Sequence, residues 1–238
     1  MFATGFKPFD PQDKPYGYGV FPNVVTNLEL EKMLRKTGRL ARPSDEQVPA
    51  SMAFIQCVGS RDGKLGHLWC SQVCCGSALR MARLLKHRHP EIEITIFYID
   101  IQSFGRDFES YYSSACQEIR FQRSIPGDIL ENTDHTLNVT YVDDVEHAST
   151  EESFDMVVLS IGMLPNADAV TFTRGPKLET TVDGFFSSPC PGQSMASNGV
   201  FSAGAATGPM GIAESIASAG QTAAEVLSYL RSRTLDQV

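Results

Sequence analysis

The chain has 238 residues and a formal net charge of −8, with 28 acidic and 20 basic side chains. This acidic balance lacks the basic footprint by which proteins bind nucleic acids, so no nucleic-acid partner is expected. Hydrophobic residues make up 42% of the chain, enough to form the core of one large domain or two small ones. No run of about 18 apolar residues is present, which excludes an apolar membrane-spanning segment.

The amino-terminal part predicts a short extended piece, a connecting loop and a helix. Residues 2–6 (FATGF) are too few to form a strand that begins a domain, and residues 7–23 are rich in Pro, Gly and Tyr, which is typical of an ordered crossing loop. Asn27 is placed as the N-cap of a helix over residues 28–36. The polar stretch 38–49 is expected to be a loop.

Four of the six cysteines follow the next predicted strand, at residues 52–58 (MAFIQCV). They are Cys57, Cys70, Cys74 and Cys75, with the spacing C-x12-C-x3-C-C. Residues 71–87 show helical periodicity, so Cys70 and Cys74 are expected one turn apart on one helix face. The cysteines therefore lie at a strand-to-helix turn, where α/β folds commonly build their sites.

Several kinds of cysteine site are compatible with this spacing. A structural zinc site normally shows separated C-x2–4-C pairs, which are missing here. A disulfide would suit an oxidising compartment, but no secretory leader is recognisable and clustered thiols favour a reduced cytoplasm. Four thiolates can also bind a [4Fe–4S] cluster, and cysteines can simply be small buried hydrophobes.

The middle of the chain continues the alternation of strands and helices. Strands are predicted at 93–100, 119–123, 137–142 and 155–161, and a helix at 106–118, while 142–153 is interpreted as an acidic turn. Asp100 ends a strand, at the place where dinucleotide-binding folds often keep an acidic residue for a ribose hydroxyl. His135 and His147 are expected to be exposed. Cys116 and Cys190 lie outside the cluster spacing and receive no role.

The last segment predicts a strand at 199–204 and a long helix from residue 212 to about residue 231. Helical spacing places Ile216, Ala219, Ala223, Val226, Leu227 and Leu230 on one side of this helix. The small residues before this helix would let a ligand approach the backbone, and the helix N-terminus favours negative charge.

Several motifs in this sequence resemble the A subunit of heterodisulfide reductase. They are IQCVGSRD (55–62), WCSQVCC (69–75), IFYIDI (96–101) with Phe104-Gly105, and GAATGP (204–209). Related flavoprotein subunits of quinone-interacting membrane-bound oxidoreductase and of sulfur-oxidising complexes share the same core. The resemblance runs from Ala3 to about Leu227.

This resemblance implies an α/β fold: a thioredoxin-reductase-like, Rossmann-type domain flanked by pieces of an FAD-binding domain. Residues 1–24 would end the FAD domain and cross over, residues 25–165 would form an NAD(P)-binding-like domain carrying the cysteines, and residues 166–238 would return to the FAD domain. It implies that the four clustered cysteines ligate a [4Fe–4S] cluster.

The implied FAD contacts lie near both ends of the chain. They are Ala3, Thr4, Gly5, Gly204, Ala205, Ala206, Gly208, Gly211 and Ile212. No G-x-G-x-x-G motif occurs in this sequence, so the chain alone is expected to hold only part of an FAD site. The family also has an acidic residue near the flavin, for which Glu29 and Glu31 are candidates, although each could equally be a solvated helix charge.

Arg80 occupies the position where methanogen-type members tend to carry Lys near the flavin. Arg could stabilise an anionic reduced flavin, but it stays protonated and could hardly transfer its proton. Arg80 is therefore the candidate catalytic residue for simple electron relay rather than bifurcation.

The resemblance implies a cytoplasmic electron-transfer protein whose partners are other subunits of a redox complex, including iron–sulfur carriers, with a homodimer possible. Three alternatives remain open: a nicotinamide-dependent disulfide reductase using Cys74 and Cys75, a non-catalytic metal-stabilised scaffold, and a remnant that neither binds flavin nor turns over.

Overall fold

The structure, a computed structural model, describes residues 1–102, 105–166, 179–187, 194–197 and 199–235. Its strands are β1 (Phe6–Pro8), β2 (Val24–Thr26), β3 (Ser51–Val58), β4 (Glu93–Phe97), β5 (Arg120–Gln122), β6 (Asp128–Glu131), β7 (Leu137–Val142), β8 (Ser149–Phe154), β9 (Met156–Ile161), β10 (Met163–Pro165), β11 (Met195–Ser197) and β12 (Val200–Phe201). Its helices are α1 (Asn27–Thr37), α2 (Cys74–Arg88), α3 (Phe108–Ala115) and α4 (Ile212–Leu235), with a 3-10 turn at Gly204–Ala206.

The chain forms two compact units. The larger unit comprises Phe9–Leu68 and Gln72–Gly162, and the smaller comprises Met1–Pro8, Trp69–Ser71 and Met163–Val238. Among the described residues, no helix has both the length and the apolarity that a membrane crossing requires.

A five-stranded sheet with the order β2-β9-β3-β4-β5 forms the centre of the larger unit, and all its pairings are parallel. Both faces are covered, so alternate residues of each strand enter different cores. Met52 and Phe54 of β3 pack with the helices, whereas Ala53 and Ile55 pack on the opposite side. This double burial explains why β3 and β9 are nearly continuous hydrophobic runs.

The second layer is an antiparallel sheet of β6, β7 and β8. Leu137, Val139 and Phe154 from this sheet pack against the second face of the parallel sheet. The interpretation of 142–153 as a turn was wrong in its second half, because β8 occupies Ser149–Phe154. Only Phe154 of β8 is buried, so this strand carries no hydrophobic period that the sequence could show.

Helix α1 begins one residue earlier than predicted, and its N-cap is Thr26 rather than Asn27. The Thr26 hydroxyl accepts a hydrogen bond from Glu29 N, and the Glu29 carboxylate accepts one from Thr26 N, which completes a capping box. The Asn27 side chain turns away and its Oδ1 accepts from Ile161 N at 3.2 Å. It therefore ties the helix start to β9.

In the smaller unit, β1 pairs antiparallel with β10, so part of the predicted crossing loop is a strand. Phe2 forms a parallel bridge to Ser202, beside the short β11–β12 pair.

The side of α4 that carries the predicted apolar residues is largely exposed. Ile216, Leu227 and Leu230 are 68%, 50% and 56% exposed, whereas Thr222 is fully buried. The Thr222 hydroxyl donates to Ser194 Oγ at 2.8 Å, and it also lies 2.8 Å from Ser218 O. Helical periodicity shows which residues share a face, but it does not show which face is buried. In α4 the buried face includes the polar residue Thr222.

Candidate functional site

Cys57 lies at the carboxyl end of β3, where the strand loses its regular register. The pairing with β9 shifts between Ile55 and Val58, and Cys57 adopts a φ of +60°. This left-handed conformation is uncommon for residues other than glycine and persists only where surrounding structure enforces it. The following Gly59 has φ +82°, and a Cβ there would lie 2.1 Å from the Phe9 ring. The backbone at Cys57 is thus fixed by a close approach that only glycine allows.

The spacer after Cys57 is a folded loop rather than a flexible tether. Asp62 and His67 exchange backbone hydrogen bonds of 2.9 and 3.0 Å. The Asp62 carboxylate accepts from Lys64 N at 2.9 Å and forms an ion pair with Lys14. One ring nitrogen of His67 lies 3.0 Å from Gly59 O. Hydrogen bonds and an ion pair therefore hold the loop between Cys57 and Cys70 in a defined conformation.

Cys74 and Cys75 are the first two residues of α2, and both are buried. Cys70 precedes the helix, so the expectation that Cys70 and Cys74 share a helix face was wrong. Gln72, with a φ of +62°, breaks the helical path between them. The delayed start leaves the first amides of α2 without a side-chain cap. A helix N-terminus with free amides is a position that favours negative charge.

The segment containing Cys70 belongs to the smaller unit. The Trp69 indole donates to Met163 O at 2.9 Å, and the Ser71 hydroxyl accepts from Met163 N at 2.8 Å. The Trp69 ring also meets Phe185 edge to face. These contacts fix the backbone on both sides of Cys70.

The Cys75 thiol is acidified within this pair. A hydrogen bond with the Cys74 side chain lowers the pKa of Cys75 to about 7, although burial opposes the shift. Its Sγ also lies 3.8 Å from Asp100 O. A thiol with this pKa is about half ionised at neutral pH, and the thiolate is the form that binds metals.

The donor chemistry fits an iron–sulfur cluster. None of Cys57, Cys70, Cys74 and Cys75 is in a disulfide, and thiolates are the ligands of such clusters. Within the described ranges, no three His, Cys, Asp or Glu side chains converge closely enough for a single metal ion. A cubane distributes its thiolates over four separate irons, so its ligands need not converge on one point. The ligand set remains a prediction.

The candidate flavin residues come together in the smaller unit, although about 200 residues separate them in sequence. Phe2 N donates to Phe201 O at 2.7 Å, and Ala203 N donates to Phe2 O at 2.9 Å. This parallel pairing brings Ala3–Gly5 and Gly204–Ala206 to the same end of two adjacent extended segments. The two sequence motifs are therefore parts of one surface.

Gly5 and Gly204 both have left-handed φ values, +66° and +65°, and a Cβ at either would meet no atom within 4 Å. The backbone is thus open to a flat ligand there, as a flavin would require. Gly204 N donates to Ser218 Oγ at 3.0 Å, and Gly211 N donates to the Glu214 carboxylate at 2.6 Å. Ile212, at the first turn of α4, is 81% exposed.

The other candidates have simpler surroundings. Arg80 is exposed on α2, and it forms no ion pair with any residue that the structure describes. Glu29 serves the α1 cap, whereas Glu31 is exposed. Asp100 is paired with Arg61, which lowers the pKa of Asp100, so this carboxylate is already engaged.

The expected exposure of His135 and His147 is confirmed. Cys116, which received no role, is exposed. Cys190 lies outside the described residues.

Sequence reasoning missed a cavity of about 860 Å³ beside Cys57. It lies where β3, β4 and β5 end, and Gln56, Cys57, Ser60, Ile99 and Ile125 are among its lining residues. Gln56 and Ser60 are each only 1% exposed, and their side-chain polar atoms have no hydrogen-bond partner. Gln56 and Ser60 are polar residues, and nothing in the sequence itself indicates that both side chains will be buried.

The comparisons with known proteins confirm the resemblance. The chain is 39% identical over 234 residues to the A subunit of the H2:CoB–CoM heterodisulfide, ferredoxin reductase of Methanothermobacter marburgensis, a match covering 94% of this chain and 36% of that protein. It is also 39% identical over 245 residues to the A subunit of the ferredoxin:CoB–CoM heterodisulfide reductase of Methanosarcina mazei, covering 99% of this chain and 31% of that protein. The chain thus spans about a third of the length of these relatives. No family model matches it.

Solved structures confirm the thioredoxin-reductase-like α/β fold. Thioredoxin reductase of Lactococcus lactis superposes with a TM-score of 0.60 at 16% identity, over 97% of this chain and 65% of that one. Thioredoxin reductase of T. acidophilum gives a TM-score of 0.59 at 12% identity, over 98% of this chain and 64% of that one.

Proposed function

We propose that this chain, which matches part of the heterodisulfide reductase A subunits over nearly its whole length, is an oxidoreductase segment that relays electrons between a [4Fe–4S] cluster and FAD. The observation that carries the proposal is the C-x12-C-x3-C-C set. Cys57 lies at the end of β3 in a left-handed backbone conformation. Cys74 and Cys75 are the first two residues of α2, whose N-terminus has no side-chain cap. This position is where open α/β sheets build their sites.

The two proposed cofactors supply complementary chemistry: iron–sulfur clusters pass single electrons, while flavin connects one-electron and two-electron steps. The chain contributes the surroundings that bind and tune them. The Cys74–Cys75 hydrogen bond favours the thiolate of Cys75, and the α2 N-terminus is a position that favours negative charge. In this proposal Arg80 supplies a permanent positive charge that favours a reduced flavin anion and does not transfer its proton.

The flavin would lie against Ala3–Gly5, the Gly204–Ala206 turn and the start of α4. Because the chain contains no G-x-G-x-x-G turn, we propose that other protein segments or subunits complete the site and supply the electron donor and acceptor. The relatives are subunits of larger reductases by name, which supports partners of the same kind here. A cytoplasmic location belongs to the same proposal, because clustered cysteines without a disulfide are typical of reducing compartments.

The ligand assignment is tested by anaerobic reconstitution with iron and sulfide, followed by electron paramagnetic resonance of the reduced protein. Cys74→Ala should abolish the cluster signal, because one thiolate of four is lost. Cys116→Ala is the matched control, since this exposed cysteine lies outside the set, and it should keep the full signal. Equal iron content in the two variants would refute the ligand assignment.

The flavin surface is tested through Gly204, whose open left-handed backbone faces the proposed ring. Gly204→Val should weaken FAD binding at least tenfold, because the β-branched side chain would occupy the open space and strain the turn. The measurement is quenching of FAD fluorescence on titration with the chain. Gly127→Val, at a glycine of the larger unit, is the control and should bind FAD as the wild type does. Unchanged binding by Gly204→Val would place the flavin elsewhere.

A further inference from the structure

The buried polar side-chain atoms that lack a hydrogen-bond partner are concentrated around Cys57. Within the described part of the chain, they are the Nε2 and Oε1 atoms of Gln56 and the hydroxyls of Ser60 and Ser160. Gln56 precedes Cys57, and Ser60 lies three residues after it. Ser160 is in β9, next to Ile161, which pairs with Val58. All of these atoms belong to the larger unit.

Such groups are costly. Leaving a buried donor or acceptor unpaired costs about 1–3 kcal/mol per group, so folded proteins satisfy nearly all of them. Other buried polar side chains in the same sheet follow this rule. Gln122 of β5, for example, is 8% exposed and its Nε2 donates to Asp144 Oδ1 at 2.8 Å. A partner other than protein is therefore expected beside Cys57.

The location limits what that partner is. Gln56 and Ser60 flank Cys57 in the chain, and all three residues are among those that line one cavity. Gln56 is also two residues beyond Phe54, on the β3 face that packs against α2. The residues at the start of α2 are Cys74 and Cys75, which place two further proposed ligands on that side.

We propose that Gln56, assisted by Ser60, is a positioning residue that donates a hydrogen bond from Nε2 to the sulfur atoms of the cluster anchored at Cys57. This inference rests on the proposed function, because it needs the cluster to be bound. Cluster sulfurs and cysteine thiolates are electron-rich acceptors, and they become more so when the cluster gains an electron. A donor directed at them stabilises the reduced state more than the oxidised state, which raises the reduction potential.

The test is a redox titration of the reconstituted full chain, followed by electron paramagnetic resonance of the reduced cluster. Gln56→Met keeps the length of the side chain but removes the donor, so its midpoint potential should be lower than that of the wild type. Ser60→Ala, a smaller change, should shift the potential in the same direction by less. Gln122→Met is the matched control, because it replaces a buried glutamine of the same sheet whose amide already has a partner.

The outcomes separate the two proposals. A cluster signal in all variants, with a lower potential in Gln56→Met and Ser60→Ala alone, supports the assignment. A normal signal with an unchanged potential in both variants overturns it and leaves the cluster proposal standing, with a buried water as the partner. If the wild type takes up iron but gives no cluster signal, the proposed function fails first, and this inference falls with it.

Discussion

The thiol of Cys75 is subject to two opposing influences. Burial disfavours its charged form, whereas the hydrogen bond with Cys74 favours it, and the second is the larger, so the pKa falls to about 7. Because the folded pKa lies below the ordinary value of about 8.5, the thiolate adds to the stability of the cofactor-free chain at high pH. That contribution is complete above the unfolded pKa and is lost as the pH falls through about 7.

A titration of thiolate absorbance in the cofactor-free chain should therefore show one cysteine ionising near pH 7. Cys74→Ala removes the hydrogen bond while Cys75 stays buried, so this step should move to higher pH. Cys116→Ala removes an exposed thiol and should leave the step in place. If the step stays at its original pH in Cys74→Ala, another group acidifies the thiol.

Gly59 is the residue whose replacement should disturb the Cys57 turn most. Its φ of +82° disfavours any side chain, and a Cβ would lie 2.1 Å from Phe9 Cγ. We expect Gly59→Ala to lower the free energy of unfolding by at least about 2 kcal/mol, as measured by urea denaturation.

Gly63 offers a control for Gly59 within the same loop. A Cβ at Gly63 would meet no atom within 4 Å, so Gly63→Ala should change the free energy of unfolding by no more than about 0.5 kcal/mol. Equal effects of the two substitutions would contradict the proposed role of the Phe9 contact in fixing the turn.

At the scale of elements, the start of α1 separates two acidic residues that the sequence left equivalent. The Glu29 carboxylate accepts hydrogen bonds from Thr26 N at 2.7 Å and from the Tyr18 hydroxyl at 3.0 Å. Glu31 is exposed on the same helix and has no part in the cap. The structure thus gives Glu29 a structural task that needs no flavin.

Glu29→Ala should lower the free energy of unfolding by about 1 kcal/mol, because it opens the capping box. Glu31→Ala should stay within about 0.5 kcal/mol of the wild type. Denaturation by urea compares the two directly. The assignment of Glu29 to the cap is wrong if both variants are as stable as the wild type.

The elements that the sequence predicted well are those whose burial is periodic. β3 and β9 are buried on both faces, and α2 buries one stripe, so hydrophobic pattern located all three. β8 was missed because its sequence, STEESF, is polar. This strand is held by its antiparallel pairing with β7, which a hydrophobic pattern does not show. The start of α2 was placed too early, since the left-handed Gln72 is a tertiary feature without a sequence signal.

At the scale of the whole molecule, both units are built from distant parts of the chain. Sequence motifs identified Ala3–Gly5 and Gly204–Ala206 separately, and strand pairing then brought them to one surface. The cysteine spacing indicated a site at the end of β3, but it could not show the cavity or the unpartnered Gln56 and Ser60. Burial of a polar side chain depends on its neighbours in space, which no local pattern records.

The proposed electron relay is tested most directly by the iron and acid-labile sulfide content of the full chain after anaerobic reconstitution, measured with its visible and paramagnetic resonance spectra. We expect about four irons and four sulfides per chain, with the signal of a reduced [4Fe–4S] cluster. A colourless chain that binds zinc, or that binds no metal after reconstitution, would contradict the electron relay and favour a metal-stabilised scaffold or a remnant.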